Sequence, residues 1–237
     1  MKKFAVFDID GTVFRSSLVL EAMYELIRKG VFPEKARDIF AEKLEHWRAR
    51  KDANAYDAYI EAIVQSFNLH IKGLSTKALH LIAENVVREQ SEYTYVYTRD
   101  LIRSLRASGQ YTLIAISGSP MELVQPFTDR HGFDIVHATK LVQDEGVYTG
   151  EFVAAYTGKD KLLQQLIDEH DLSLKGSIAV GDSRGDVGML SLVERPIAFN
   201  PDKDLFAAAK REGWEVVVER KNVIYELEPN RGHYKLA

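Results

Sequence analysis

Three polar clusters each follow an apolar run, and each carries groups suited to phosphate or a metal ion. Asp8 and Asp10 follow Phe4-Ala5-Val6-Phe7. Ser117-Gly118-Ser119 follows Thr112-Leu113-Ile114-Ala115-Ile116, and Gly181-Asp182-Ser183-Arg184-Gly185-Asp186 follows Ser177-Ile178-Ala179-Val180. Lys159 stands 23 residues before Asp182. Taken singly, each cluster has a plain structural reading. Asp10 is a helix cap after an Asp-Gly turn, Asp182 and Asp186 form a turn and a cap, and Ser117 caps a helix opening at Pro120. Taken together they point elsewhere. Residues two apart on a strand face the same way, so Asp8 and Asp10 share a side. Four carboxylates at one sheet mouth repel unless a cation sits among them or some are protonated. With no cysteine and no His-x-x-x-His spacing, oxygen-only ligands favour a hard cation such as Mg²⁺ over zinc. Free N–H groups and a hydroxyl at a helix N-terminus make an anion cradle. A lysine at a helix start is not preferred for stability, which adds weight to a functional role for Lys159. Cation ligands, an anion cradle, a lysine and a spare carboxylate are the parts of a phosphoryl-transfer site, where metal and lysine offset the repulsion between anionic nucleophile and anionic substrate.

The surrounding pattern says what must hold these groups. The three runs recur with Pro196-Ile197-Ala198-Phe199 and Trp214-Glu215-Val216-Val217-Val218. Such nearly continuous apolar strands, alternating with helical segments, predict a parallel sheet covered on both faces. Ligands bind beyond the carboxyl ends of such strands. Residues 15–93 read as helices only. Ser16 or Ser17 caps the first, Pro33 opens a second reaching Trp47, Tyr56 to Phe67 mark a third, and Ser75 opens a fourth. The expectation is an inserted all-helical cap at 15–93, with the core formed by 1–14 and 94–237. Later come a helix from Pro120 to about His131, a hairpin turning through Asp144-Glu145-Gly146, and helices at 159–170 and 187–193. The last 15 or so residues are polar and weakly patterned. The fold class is therefore α/β, a Rossmann-like doubly wound parallel sheet with a helical insert.

The chain has 237 residues, 46% hydrophobic and 28% charged, with a net charge of −4. That balance suits a globular chain with a sizeable core, and the absence of a basic excess makes nucleic acid a poor partner. No signal-peptide pattern and no uncharged apolar stretch of membrane-spanning length is present, so the expected location is cytoplasmic, with no membrane partner.

The four clusters resemble, in order, the motifs of the haloacid dehalogenase-like superfamily of phosphohydrolases: Asp8-Ile9-Asp10-Gly11-Thr12, Ser117-Gly118, Lys159 and Gly181-Asp182-Ser183-Arg184-Gly185-Asp186. The hairpin of 140–150 and the stretch 199–216 are similar to its phosphoserine-phosphatase-like subgroup. The resemblance implies Asp8 as nucleophile forming an aspartyl-phosphate, and Asp10 as acid and then base. It implies Mg²⁺ held by Asp8, Asp182 and the Asp10 carbonyl, with Asp186 direct or through water. Ser117, Gly118 and Lys159 would bind the phosphoryl group, Lys161 being the rival lysine. The implied activity is hydrolysis of a small phosphorylated metabolite by a monomer or small homo-oligomer, under a cap that opens and closes. Arg15, Glu21 and Arg48 are candidate cap contacts. Two departures weigh against phosphoserine without deciding it: Phe14-Arg15-Ser16-Ser17 lacks the acidic residue that the resemblance leads one to expect early in the cap, and Gly185 replaces a frequent Asn. The second Asp of the first motif argues against dehalogenation.

Other readings compete. Gly181-Asp182-Ser183-Arg184-Gly185 fits the Gly-x-Ser-x-Gly elbow of serine hydrolases, yet only His233 follows it. Thr157-Gly158-Lys159 hints at a P-loop, but Val153 and Asp160 occupy positions that need Gly and Ser/Thr. A phosphomutase or phosphotransferase shares the aspartyl-phosphate step and differs in the acceptor. A binding module would use the aromatic residues Trp47, Tyr56, Tyr59 and 93–97, whose spacing also suits core packing.

Overall fold

The computed structural model describes residues 2–155, 158–230 and 233–237. Thr157, beside the predicted helix start at Lys159, lies outside them. The chain opens with β1 (Lys2–Phe7) and passes through α1 (Leu18–Arg28), a 3₁₀ turn (Glu34–Ile39), α2 (Ala41–Arg48), α3 (Ala55–Ile71) and α4 (Thr76–Gln90). It continues through α5 (Val96–Ser108), β2 (Tyr111–Pro120), α6 (Met121–His131), β3 (Ile135–Asp144), β4 (Val147–Val153) and α7 (Lys159–Glu169). It ends with β5 (Leu172–Gly181), α8 (Val187–Leu190), β6 (Arg195–Phe199), α9 (Lys203–Glu212), β7 (Glu215–Arg220), β8 (Val223–Asn230) and β9 (His233–Leu236).

The described strands form one sheet in the order β4-β3-β2-β1-β5-β6-β7-β8-β9. Pairing is parallel from β3 to β7 and antiparallel at both ends. The chain leaves β1 toward β2 on one side and returns to pair β5 on the other, so β1 lies at the switch point where a crevice opens. Alternation along β1 explains its unbroken apolar run. Phe7 packs into the core layer shared with the helical insert, whereas Phe4 and Val6 pack against α7, α8 and α9.

The predicted α/β sheet with a helical insert is what forms. The insert is joined to the core by two crossings that run side by side. Arg15 N–H donates to the Tyr93 carbonyl at 2.9 Å, and Tyr95 N–H to that of Val13 at 3.1 Å. The Arg15 guanidinium lies over the rings of both Tyr93 and Tyr95. Several local expectations need correction. The helix from Pro33 is broken into the 3₁₀ turn and α2, with buried Phe40 at the junction. Ser17 occupies the N-cap position of α1 but its side chain caps nothing there. The last helix of the third polar cluster spans only Val187–Leu190. The polar tail is not shapeless: β8 and β9 extend the sheet, held by ladder bonds and by the Tyr234 hydroxyl on the Trp214 carbonyl at 3.0 Å.

Glu122 is a half-buried carboxylate away from the polar clusters. Glu122, in the first turn of α6, accepts a hydrogen bond from the Tyr148 hydroxyl at 3.0 Å, while its Oε2 is buried without a partner. Loss of water raises its pKa, against its own backbone N–H, Tyr148 and nearby His80. A raised folded-state pKa means the native protein holds this proton more tightly than the unfolded chain. The resulting stability is present below the ordinary glutamate pKa and is lost as pH rises through the raised value. Glu122→Gln should therefore gain stability relative to the parent as pH rises from about 4 to about 8. Thermal unfolding across that range checks it, and a constant difference between the two proteins would contradict it.

Candidate active site

Asp8 is the first residue beyond β1, fixed by its N–H on the Val180 carbonyl at 3.0 Å. The chain then coils around the Ile9 carbonyl, which accepts from the N–H groups of Val13 and Phe14, both at 2.9 Å. Gly11 takes φ of +81° there, and a Cβ on it would stand 2.0 Å from Asp182 Oδ2. This turn has room only for glycine because the carboxylate of another strand end lies against it. Thr12, fully buried, donates to Asp182 Oδ1 at 3.4 Å and is held by the Thr98 hydroxyl on its carbonyl at 2.9 Å.

Asp8, Asp182 and Asp186 come together: one carboxylate oxygen from each lies within 4.8 Å of the others. Lys159 enters from the first position of α7, following Gly158 at φ +81°. Its ammonium donates to Asp8 Oδ1 and to Asp186 Oδ1, both at 2.7 Å. Lys159 is 5% exposed, while the rival Lys161 faces solvent. Asp186 has little left to offer, since its Oδ2 accepts from the N–H groups of Asp182 and Ser183 and from the Ser183 hydroxyl. It braces the loop around Lys159. That contact also removes the elbow reading: Ser183 donates to a carboxylate, and His233 lies on the far edge strand.

The electrostatics are those of crowded anions out of water. Desolvation pushes the Asp8 pKa up to about 7, against the pull of Lys159, with Asp186 and Asp10 adding to the rise. Desolvation raises Asp182 well above the usual range, and Asp8 and Asp186 raise it further. Burial opposes the Lys159 ammonium, but Asp186 and Asp8 outweigh it and hold its pKa above the ordinary lysine value. One ammonium cannot neutralise three carboxylates. The remaining negative charge and all-oxygen donors fit a hard divalent cation.

Asp10 is placed apart from that trio. Its Oδ1 accepts from Leu18 N–H at 2.6 Å and its Oδ2 from the Ser117 hydroxyl at 2.8 Å. So Asp10, not a serine, caps α1. Ser117 is fully buried and its oxygen also accepts from Ser119 N–H at 3.0 Å. In this arrangement its hydroxyl turns to Asp10, and Gly118 and Ser119 line the space beside Asp8.

Above these groups lies a cavity of about 830 Å³ between the core and the insert. Its insert wall comes from α3, with Tyr56, Asp57, Ile60 and Glu61, together with Ser17 and Val19 and the residues 53–54, and not from Arg15, Glu21 or Arg48. Glu21 instead accepts from the Ser16 hydroxyl at 2.7 Å. Sequence reasoning also missed Asp202, whose N–H donates to the Asp182 carbonyl at 2.8 Å and whose carboxylate accepts from Arg184 N–H. Its one sequence signal was its place in the stretch 199–216; in the structure it also caps α9.

A model of haloacid dehalogenase-like hydrolases matches residues 5–191, which take in every one of these groups except Asp202. This chain belongs to that family. The haloacid dehalogenase-like assignment agrees with the expected enzyme class, a phosphoric monoester hydrolase. The "inhibition of morphological differentiation protein" of Streptomyces azureus is 28% identical over 221 residues, 90% of this chain and 77% of that one. The histidinol-phosphatase of Neisseria meningitidis serogroup C (strain 8013) is 27% identical over 229 residues, 92% of this chain and 99% of that one. A solved structure described as a phospho-aspartyl intermediate analogue of phosphoserine phosphatase shares the fold at TM-score 0.62 and 20% identity, covering 93% of this chain and 94% of that one. Among the described residues, no helix is long and apolar enough to cross a membrane.

Replacing Lys159 by Met would leave Asp8 and Asp186 facing each other without compensation. The metal-free variant should lose about 3–5 kcal/mol at neutral pH, and less in mild acid where protonation relieves the repulsion. Urea unfolding in EDTA at the two pH values measures this; an equal loss at both would contradict it.

Proposed function

We propose that this hydrolase is a Mg²⁺-dependent phosphatase of small phosphomonoesters that works through an aspartyl-phosphate on Asp8. The observation that carries the reading is the contact of Lys159 with both Asp8 and Asp186 beside Asp182, at the floor of a cavity large enough for a metabolite. In this reading an Asp8 oxygen attacks phosphorus, and Asp10 gives its proton to the departing alkoxide. Asp10 then takes a proton from water as it attacks the phosphorus of the acyl phosphate, releasing inorganic phosphate and restoring Asp8. Asp10 suits both steps because Leu18 N–H and Ser117 hold its carboxylate in one orientation. Asp8, Asp182 and the Asp10 carbonyl would hold the Mg²⁺, with Asp186 bracing their loop. When bound, the ion supplies positive charge that offsets repulsion between Asp8 and the phosphoryl oxygens. Lys159, Gly118 and Ser117 are the proposed phosphoryl contacts.

The relatives' names support phosphate-ester chemistry, and one names histidinol phosphate hydrolysis. We take residues 15–93 as the cap, bounded by the paired crossings at Arg15 and Tyr93. We also propose a cytoplasmic enzyme, monomeric or a small homo-oligomer, acting on a diffusible phosphorylated metabolite.

Phosphate release from a panel of monoesters tests the reading. Activity should require Mg²⁺, vanish in EDTA, and fall by about 10³-fold or more in Asp8→Asn. Undiminished turnover in EDTA or in that variant would overturn it.

A further inference from the structure

The cavity is far larger than a phosphoryl group needs, so its upper part must receive the alcohol that leaves. Its wall is strongly one-sided in charge. Among the described residues, seven carboxylates line it against two lysines, with no arginine or histidine. Lys159 is already engaged by Asp8 and Asp186, which leaves Lys203 as the lysine facing the alcohol. Lys203 sits between Asp202 and Asp204, so a carboxylate on the alcohol would meet more negative charge than positive.

The cap wall is built to a pattern. Asp57 and Glu61 are one turn apart on α3 and present a shared face, with Ile60 beside them. Desolvation raises the Asp57 pKa, and Asp202 across the cavity and Glu61 raise it further, against Lys203. Carboxylates that disfavour one another across a gap are relieved by a cation in that gap. Tyr56 adds an aromatic surface. Its ring is braced by Trp47 at 5.1 Å, and Trp47 is itself stacked on Tyr59 at 5.4 Å and 12°. Tyr56 lines the same cavity as Asp10 and Asp182. An aromatic face next to carboxylates suits a cation carried on an apolar body.

We propose that Tyr56, Asp57 and Glu61 select a phosphomonoester whose alcohol bears a protonated amine and an apolar body and lacks a carboxylate. The inference rests on the phosphatase reading above and names its substrate class. It makes phosphoserine, which carries a carboxylate, a poor substrate.

Three probes separate the contributions: 2-amino-3-phenylpropyl phosphate, 3-phenylpropyl phosphate, and O-phosphoserine. The amino ester should exceed each of the others in kcat/KM by about tenfold or more, chiefly through KM. The double variant Asp57→Asn with Glu61→Gln should bring the amino-to-neutral ratio within about threefold of unity. Glu61→Lys should shift preference toward O-phosphoserine. Both variants change exposed positions, and circular dichroism confirms that they fold. Equal rates on the amino and neutral esters, or a ratio the double variant does not move, would overturn the inference alone. Absence of Mg²⁺-dependent hydrolysis of every monoester in the wider panel would overturn the phosphatase reading first.

Discussion

Three carboxylates held within 4.8 Å of one another beside one buried ammonium set the terms for everything else in this molecule. Coulomb repulsion at such distances is severe outside water, and only positive charge or protonation relieves it. The fold spends much of its local structure on holding them there. Asp8 is tied to β5 through Val180, Asp182 lies against Gly11 and Thr12, and Asp186 is saturated by donors from its own loop. The turn after β6 adds a second brace through Asp202. A cluster of buried carboxylates held in this way is compatible with a metal site.

The core and the helical insert both line the cavity. The core supplies the carboxylates, Lys159 and Ser117. The cap contributes α3 to the cavity wall, while its first helix is bound to the core loops. Leu18 N–H donates to Asp10, and Val19 N–H donates to the Ser119 hydroxyl at 3.3 Å. The same carboxylate thus meets the first N–H of α1 and the Ser117 hydroxyl, so the plain structural reading of Asp10 as a cap does not compete with the role proposed for it. Behind α1, the crossings at Arg15 and Tyr93 join cap to core through backbone bonds and a guanidinium lying over two tyrosine rings.

The parts readable from sequence are those where residue type and chain order coincide with a strand end. Asp8 and Asp182 were legible as candidates because apolar runs announced the strands they follow, and Lys159 because it opens a helix where a lysine is not preferred. Of the two candidate lysines, Lys159 is the buried one and makes both carboxylate contacts, while Lys161 faces solvent. The cap wall was not legible. Helical periodicity in α3 identifies Tyr59, Ile63 and Phe67 as its packed face, but says nothing of which remaining face looks into a cavity built by distant segments. Tyr56 read as core for the same reason. The edge strands β8 and β9 were missed because both their faces meet solvent, so no alternation marks them. The break after Pro33 was missed because spacing alone does not distinguish a 3₁₀ turn followed by a short helix from one continuous helix.

The most direct test is a crystal structure of the protein with Mg²⁺ and fluoroberyllate. The account predicts an ion coordinated by Asp8 and Asp182, and a beryllium fluoride group bonded to an Asp8 oxygen within reach of Lys159. Beryllium fluoride bonded elsewhere, or a carboxylate trio holding neither species at saturating concentrations, would contradict it.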